Sequence, residues 1–242
     1  MTKNNLAIIV LNWNGADDAL ECINSLAQQT LKPTIIIVDN HSRDDSVMRF
    51  EQYQTEHPSV DCIIIANNKN LGFTGGINTG LVYAREQGFE YIGVLNPDAV
   101  ADKKWCQALV DELSSQPKCG IATGILQRRD GKTLDTTGDF YTTWGLPGPR
   151  NRDEPIENAP SKPGKVFGAT GGGAIYRAAI FDDIDMFDED FFMYYEDVDL
   201  SFRAQLAGWK VRFTPKAIAY HKVGASSKKV PGLAVYNTFK NL

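Results

Sequence analysis

Three acids in four residues, Glu196, Asp197 and Asp199, follow a group of aromatics, Phe191, Phe192, Tyr194 and Tyr195. A carboxylate at the edge of a pocket that such rings shield from bulk water can take a proton from a substrate hydroxyl. The same acids also suit an ordinary helix start, where the positive helix end favours negative charge and Asp199 would pair with Arg203 one turn on. Further polar groups recur as Asn12-Trp13-Asn14-Gly15, Asp39-Asn40, Asn67-Asn68-Lys69-Asn70 and Asn96-Pro97-Asp98. Any one of them alone is turn chemistry. A carboxylate at Asp39 suits ribose hydroxyls or a base edge, and Asp98, after a proline that stiffens its turn, offers the oxygen that a hard divalent cation on a diphosphate needs. His221 is either structural or, with Lys222, Lys228 and Lys229 close by, part of an anion-binding lid.

The elements that must carry these residues alternate. Continuous Ile- and Val-rich runs at Leu6–Leu11, Thr34–Val38, Cys62–Ala66 and Tyr91–Leu95 predict strands buried on both faces. Helices are expected between them, at Leu20 to Ala27, Ser42 to about His57 and Gly75 to Gln87, with another carrying Trp105, Leu109 and Leu113. Such alternation implies a parallel sheet with ligands beyond the carboxyl ends of its strands, where the four polar groups fall. The stretch from Asn70 to Gly80 is glycine-rich but fits neither a dinucleotide nor a P-loop pattern, so its glycines point to close backbone approach, by a ligand or another helix.

Periodicity lapses from Leu126 to Lys165, which reads as a disordered insertion or a functional flap, with short strands around Phe140 to Trp144. Gly171-Gly172-Gly173 precede a short strand, so something packs tightly there. Val198, Phe202 and Leu206 predict a helix from about Glu196 that buries this stripe and stops at Gly208. Short strands at Lys210–Phe213 and Ala217–Tyr220 follow, and Asn241-Leu242 fall in what reads as another helix, so a further C-terminal segment is expected.

With 242 residues and 43% hydrophobic residues the chain can bury a full core. Its 30 acidic and 25 basic residues give a net charge of −5, which does not suit a nucleic-acid binder. Cys22, Cys62, Cys106 and Cys119 form no Cys-x-x-Cys pair and read as core residues or free thiols of a reducing compartment. With no signal-peptide shape at Met1–Asn5 and no long apolar run, a soluble, cytoplasmic protein is expected.

Taken in order, Ile8 to Gly15, Ile37 to Ser42, Asn70 to Phe73, Leu95 to Asp98, Gly171 to Gly173 and Tyr195 to Leu200 resemble the motifs of family 2 glycosyltransferases, in the branch that includes bacterial rhamnosyltransferases. The resemblance spans about Ala7 to Gly224 and is weakest in the 126–165 insertion. It implies one α/β domain of GT-A fold over 1–242, Rossmann-like, with a mostly parallel central sheet and a smaller acceptor-side subregion. Residues 1–125 would form the nucleotide-sugar half and 166–242 the acceptor-binding and catalytic half.

Residue by residue, the resemblance implies that Val10, Asn12 and Asp39 meet the base or ribose of the donor. Asp98 would be the last acid of the family's Asp-x-Asp motif, holding Mg²⁺ or Mn²⁺ on the donor diphosphate. Asn96 replaces the first acid of that motif, and His221 would add a metal or diphosphate contact. Gly172, Tyr195 and Glu196 would wall the pocket, and Asp197 would be the base. A helix N-terminus lowers the pKa of Asp197, whereas Glu196 and the aromatic wall push it up. The implied reaction is inverting sugar transfer from a dTDP- or UDP-linked donor to a glycan or lipid-linked acceptor, with possible peripheral contact at the inner membrane face. A sugar-nucleotide pyrophosphorylase would open with a Gly- and Arg-rich loop that Asn12 to Gly15 do not supply. A catalytically idle nucleotide-sugar or glycan-binding module would use Asp98 and Asp197 only as turn and cap.

Overall fold

The computed structural model describes residues 5–222 and 232–241. The chain begins with β1 (Leu6–Asn12), α1 (Ala16–Ala27), β2 (Thr34–Asp39), α2 (Ser46–Glu56), β3 (Cys62–Ala66), α3 (Gly72–Glu86) and β4 (Tyr91–Leu95). β1 pairs in parallel with both β2 and β4, and β2 with β3. The apolar runs are therefore strands with helices on both faces, and their side chains fill one core cluster on each face of the sheet. α2 starts at Ser46, four residues later than the sequence suggests, because the Asp44 carboxylate takes the Ser46 amide and hydroxyl and ends the preceding turn there.

The second half continues with β5 (Ala99–Ala101), α4 (Trp105–Ser114), β6 (Cys119–Arg128), β7 (Leu134–Thr136), β8 (Asp139–Tyr141), β9 (Pro147–Pro149), β10 (Gly164–Lys165), β11 (Gly173–Arg177), α5 (Ile180–Ile184), α6 (Glu196–Leu206), β12 (Lys210–His221) and α7 (Leu233–Asn241). Along the sheet the order is β10-β12-β6-β11-β4-β1-β2-β3, with β5 on β12 and β7 on β6. β11 runs antiparallel to β4 and β6, whereas β12 runs parallel to β6. One mixed sheet thus carries strands from both sequence halves.

Four features differ from the sequence reading. The segment 126–165 is not a disordered insertion, since it finishes β6, adds β7 and β10 to the sheet and forms the β8–β9 hairpin, whose β8 is a short strand where one was expected around Phe140. The two short strands after α6 are one long β12, whose register against β6 shifts between Lys210 and Val211 and again between Phe213 and Ile218. Two glycines of α3 permit close approach to a strand: a Cβ at Gly76 would lie 2.5 Å from Leu11, and one at Gly80 2.8 Å from Ile9, both on β1. Finally, α6 buries Leu200, Ser201 and Ala204, while Phe202 and Leu206 stay 40% and 76% exposed. Its docking is set by Ser201, whose hydroxyl takes the Ala169 amide at 3.3 Å, and Phe202 instead joins Tyr141 and Phe167 in an aromatic group.

All four cysteines are free and buried, and burial pushes each thiol pKa upward, to about 11 for Cys62 and Cys119, so none is poised as a nucleophile. Among the described residues no helix is long and apolar enough to cross a membrane.

Candidate active site

A cavity of about 710 Å³ opens at the carboxyl ends of the strands. Leu11 and Trp13 line it from the end of β1, Asn96 to Asp98 from the end of β4, Asp135 and Asp139 from β7 and β8, Gly171 and Gly172 from the turn before β11, and Phe192 to Val198 from the entry to α6. Leu233, Ala234 and Thr238 of α7 complete the wall.

Strand register brings Asp98 and His221 together. β5 pairs antiparallel with β12 so that His221 stands opposite Ala99, one residue beyond Asp98. His221 Nε2 lies 3.0 Å from Asp98 Oδ1 and 3.3 Å from Asn96 Nδ2, and its Nδ1 lies 2.8 Å from Asp135 Oδ2. Arg152 donates to the other oxygen of Asp135 at 2.6 Å. Burial opposes charge on His221, but its hydrogen bonds to Asp135 and Asp98 outweigh it and raise the pKa to about 9. Burial likewise opposes ionisation of Asp135, yet His221 and Arg152 hold its carboxyl below the usual range. Sequence reading missed Asp135, Asp139 and Arg152. Arg152 is the one arginine or lysine lining the cavity among the described residues, whereas Lys222 is paired with Asp18 at 3.0 Å. Lys228 and Lys229 lie outside the described residues.

At the other wall, Asp197 Oδ2 accepts the Gly171 amide at 2.7 Å and Oδ1 the Val198 amide at 2.9 Å. It does not cap α6: the cap position is Tyr195, in a left-handed conformation without a side-chain cap bond. Asp199 pairs with Arg203 at 2.7 Å, the ordinary role open to it. The expected contest over the Asp197 pKa is won by burial, which raises it against the amide hydrogen bonds. Glu196 and Asp139 are pushed further up, first by burial and then by the Asp197 charge. Burial and mutual repulsion thus oppose ionisation of all three neighbouring acids, and the amides that Asp197 holds favour it as the member that ionises first. Glu196 Oε2 is buried with no hydrogen-bond partner among the described residues, which suits a protonated neighbour.

These shifts have a stability consequence. A carboxyl whose folded pKa lies above its unfolded value of about 4 makes the folded state bind more protons, so its contribution falls as pH rises through the folded value. Glu196→Gln removes one such group. Its melting temperature relative to the natural protein is expected to rise as pH is raised above the unfolded value of about 4, measured by thermal unfolding at each pH; a pH-independent difference would sink this account of the buried acids.

The residues expected at the base and ribose sit differently. Val10 is wholly buried in the core, and Asn12 and Asp39 are also buried. Asn12 and Asp39 stand opposite each other in the β1–β2 register, and Asn12 Nδ2 donates to Asp39 Oδ1 at 2.8 Å. The Ser42 hydroxyl donates to the same Oδ1 at 2.6 Å and the Ser42 amide to Oδ2 at 2.9 Å. Of that strand edge, Leu11, Trp13, Asn40 and Asn70 face the cavity, and Asn40 ties the edge together through Asn70, Leu71 and Gly72. Gly172, Tyr195 and Glu196 do line the cavity, as do Asn96, Asp98, Asp197 and His221.

Two solved structures share the fold over most of this chain. They are GalNAc-T7 with UDP, GalNAc and Mn²⁺ (TM-score 0.70, 13% identity, 89% of this chain and 43% of that one), and the Pyrobaculum calidifontis mannosyltransferase PcManGT with GDP-Man and Mn²⁺ (0.69, 15%, 92% and 58%). The chain therefore spans about half the length of these structures. Among curated relatives, the N-acetylglucosaminyl-diphospho-decaprenol L-rhamnosyltransferase of Mycobacterium tuberculosis is 24% identical over 93% of this chain and 78% of its own length. The low-salt glycan biosynthesis hexosyltransferase Agl10 of Haloferax volcanii is 24% identical over 84% and 62%. Residues 7–185 match the sequence profile of glycosyl transferase family 2. The chain belongs to that family, as a nucleotide-sugar glycosyltransferase built on the GT-A fold.

Proposed function

We propose that this chain transfers a sugar, with inversion, from a nucleoside-diphosphate donor to a hydroxyl of a glycan or lipid-linked acceptor. The observation that carries the reading is a single cavity with the Asp98–His221 pair on one wall and the amide-held Asp197 on another. Asp197 takes the acceptor hydroxyl proton as that oxygen bonds to the anomeric carbon, and the bond to the diphosphate breaks with its electrons on the leaving oxygen. Attack opposite the leaving group inverts the configuration. Arg152, half-exposed in the cavity, meets the negative charge that grows on the diphosphate.

The donor set fits a divalent cation. Asp98 offers a carboxylate oxygen, and His221 offers Nε2 while Asp135 fixes its other nitrogen, the usual orientation of a metal-binding imidazole. Among the described residues no group of three His, Cys, Asp or Glu is arranged for a metal. Mg²⁺ or Mn²⁺ would therefore be held by Asp98 and His221 together with the diphosphate of the donor, whose charge it neutralises. The Mn²⁺ in both solved neighbours supports this reading.

The rhamnosyltransferase relative favours deoxythymidine-diphosphate rhamnose as donor, with uridine-diphosphate sugars next, and its name favours a lipid-linked acceptor. We place the chain in the cytoplasm, touching the inner membrane face peripherally. Exposed Val235, Tyr236 and Phe239 on α7 suit that contact.

Calorimetry against a panel of nucleoside diphosphates and their sugars, with Mn²⁺, with Mg²⁺ and with chelator, tests the reading. One nucleotide is expected to bind only with metal, and Asp98→Ala is expected to weaken it roughly 100-fold. Because His221 holds a proton up to about pH 9, metal-dependent binding is expected to release a proton and to tighten as pH rises toward that value. Absence of binding by every nucleotide under all conditions would overturn the donor site.

A further inference from the structure

We propose that Asn241 is a positioning residue: from α7, its side-chain amide holds the turn at residues 191–195 in the left-handed conformation that aims Asp197 into the cavity. This rests on Asp197 being the base.

The turn is unusual for its residue types. Phe192, Tyr194 and Tyr195 have φ of 62°, 72° and 68°, a region that L side chains avoid, and none of them is glycine. Such a conformation persists only where surrounding contacts over-determine it. Two sets of contacts do so. From α3, the amides of Phe73 and Thr74 donate to the Phe192 carbonyl at 2.7 and 3.2 Å. From α7, Asn241 Nδ2 lies 2.9, 3.0 and 2.9 Å from the carbonyl oxygens of Phe191, Met193 and Tyr194. An amide nitrogen has two hydrogens, so three carbonyls share them, and these are main-chain acceptors that the reversed turn leaves without helical partners. Lys240 Nζ adds a bond to the Asp190 carbonyl.

What the turn controls is the direction of α6. Tyr195 is the cap residue, and Glu196 and Asp197 are the next two, so a rotation at Tyr194 or Tyr195 swings the Asp197 carboxylate off the Gly171 amide. The helix that carries Asn241 also forms part of the cavity wall through Leu233, Ala234 and Thr238. Acceptor enclosure and base orientation are thereby set by one element. The geometry is specific to an amide, because an aspartate at 241 would face three carbonyl oxygens with like partial charge, and alanine would remove all three bonds, leaving the Phe191 carbonyl only the Met193 amide at 2.7 Å.

The test measures kcat, KM for donor and acceptor, and thermal unfolding for Asn241→Ala and Asn241→Asp, each in the natural and in the Asp197→Asn background. Both variants are expected to lower kcat tenfold or more, with donor KM within about twofold and the acidic limb of the kcat–pH profile displaced. In the Asp197→Asn background the same changes are expected to alter the residual rate less than twofold. If both variants keep kcat within twofold, or lose it equally in both backgrounds, the positioning role is wrong. Should Asn241→Asp fail to fold, Asn241→Ala decides alone. Undiminished kcat in Asp197→Asn itself would instead strike the base assignment, and the positioning role with it.

Discussion

Asp197→Asn is expected to lower kcat by about 10³-fold while leaving metal-dependent donor binding within about twofold, because general-base catalysis is worth about 10²–10⁴-fold and the donor meets other residues. The substitution keeps size and shape but removes the carboxylate that the Gly171 and Val198 amides hold. An asparagine can satisfy the Gly171 or the Val198 amide with its carbonyl, not both, so a stability loss of about 1 kcal/mol accompanies it. Asp199→Asn is the matched control: it also removes a first-turn acid of α6, yet Asp199 is engaged with Arg203, and its kcat is expected to stay near the natural value. Steady-state kinetics with product quantification, together with donor calorimetry, separate the outcomes. A drop in donor affinity that parallels the drop in rate would make Asp197 a binding group, and an undiminished rate would leave it a structural one.

The strand-helix alternation could be read from sequence because β1 to β4 are continuous apolar runs, which only burial on both faces explains. The sequence singled out Asp98, after a proline turn, and Asp197, behind an aromatic cluster, without deciding between turn or cap and chemistry, and the structure brings both to one cavity with His221. β6 was not legible. Gly120 and Gly124 interrupt it, and glycine in a strand argues against a strand; the structure needs both, as a Cβ at Gly124 would lie 2.2 Å from the Ala217 carbonyl oxygen and one at Gly120 3.0 Å from Trp209. Losing β6 also hid β7, and with it Asp135, whose partner His221 lies 86 positions away. For Asn12 and Asp39 the motif placed them correctly at adjacent strand ends, but their register pairs them with each other, and that is invisible without knowing which strands are neighbours.

The strain around the base leads to the second large effect. Gly72→Ala is expected to destabilise the protein by about 3 kcal/mol, the sum of about 1–2 kcal/mol for a side chain in the left-handed region and about 1–3 kcal/mol for overpacking. Gly72 has φ of 73°, and a Cβ there would stand 2.5 Å from Phe192 Cδ2 and 2.6 Å from the Phe192 carbonyl oxygen. Neither side can yield cheaply. The Gly72 amide donates to Asn70 Oδ1 at 2.9 Å, and its carbonyl accepts from Asn40 at 2.8 Å, while Phe192 is fixed by the Phe73 and Thr74 amides. For a chain of this length each kcal/mol moves the melting temperature about 2–4 °C, so a fall of roughly 6–12 °C is expected in thermal unfolding. Gly131→Ala isolates the strain component. Gly131 has φ of 68° with nothing within 4 Å of an added Cβ, so about 1 kcal/mol is expected there. Equal losses at the two sites would mean that backbone conformation alone decides and that Phe192 gives way. A larger loss at Gly72, joined by a fall in kcat at temperatures where the variant stays folded, would show that the α3 start and the turn before Asp197 act as one packed unit.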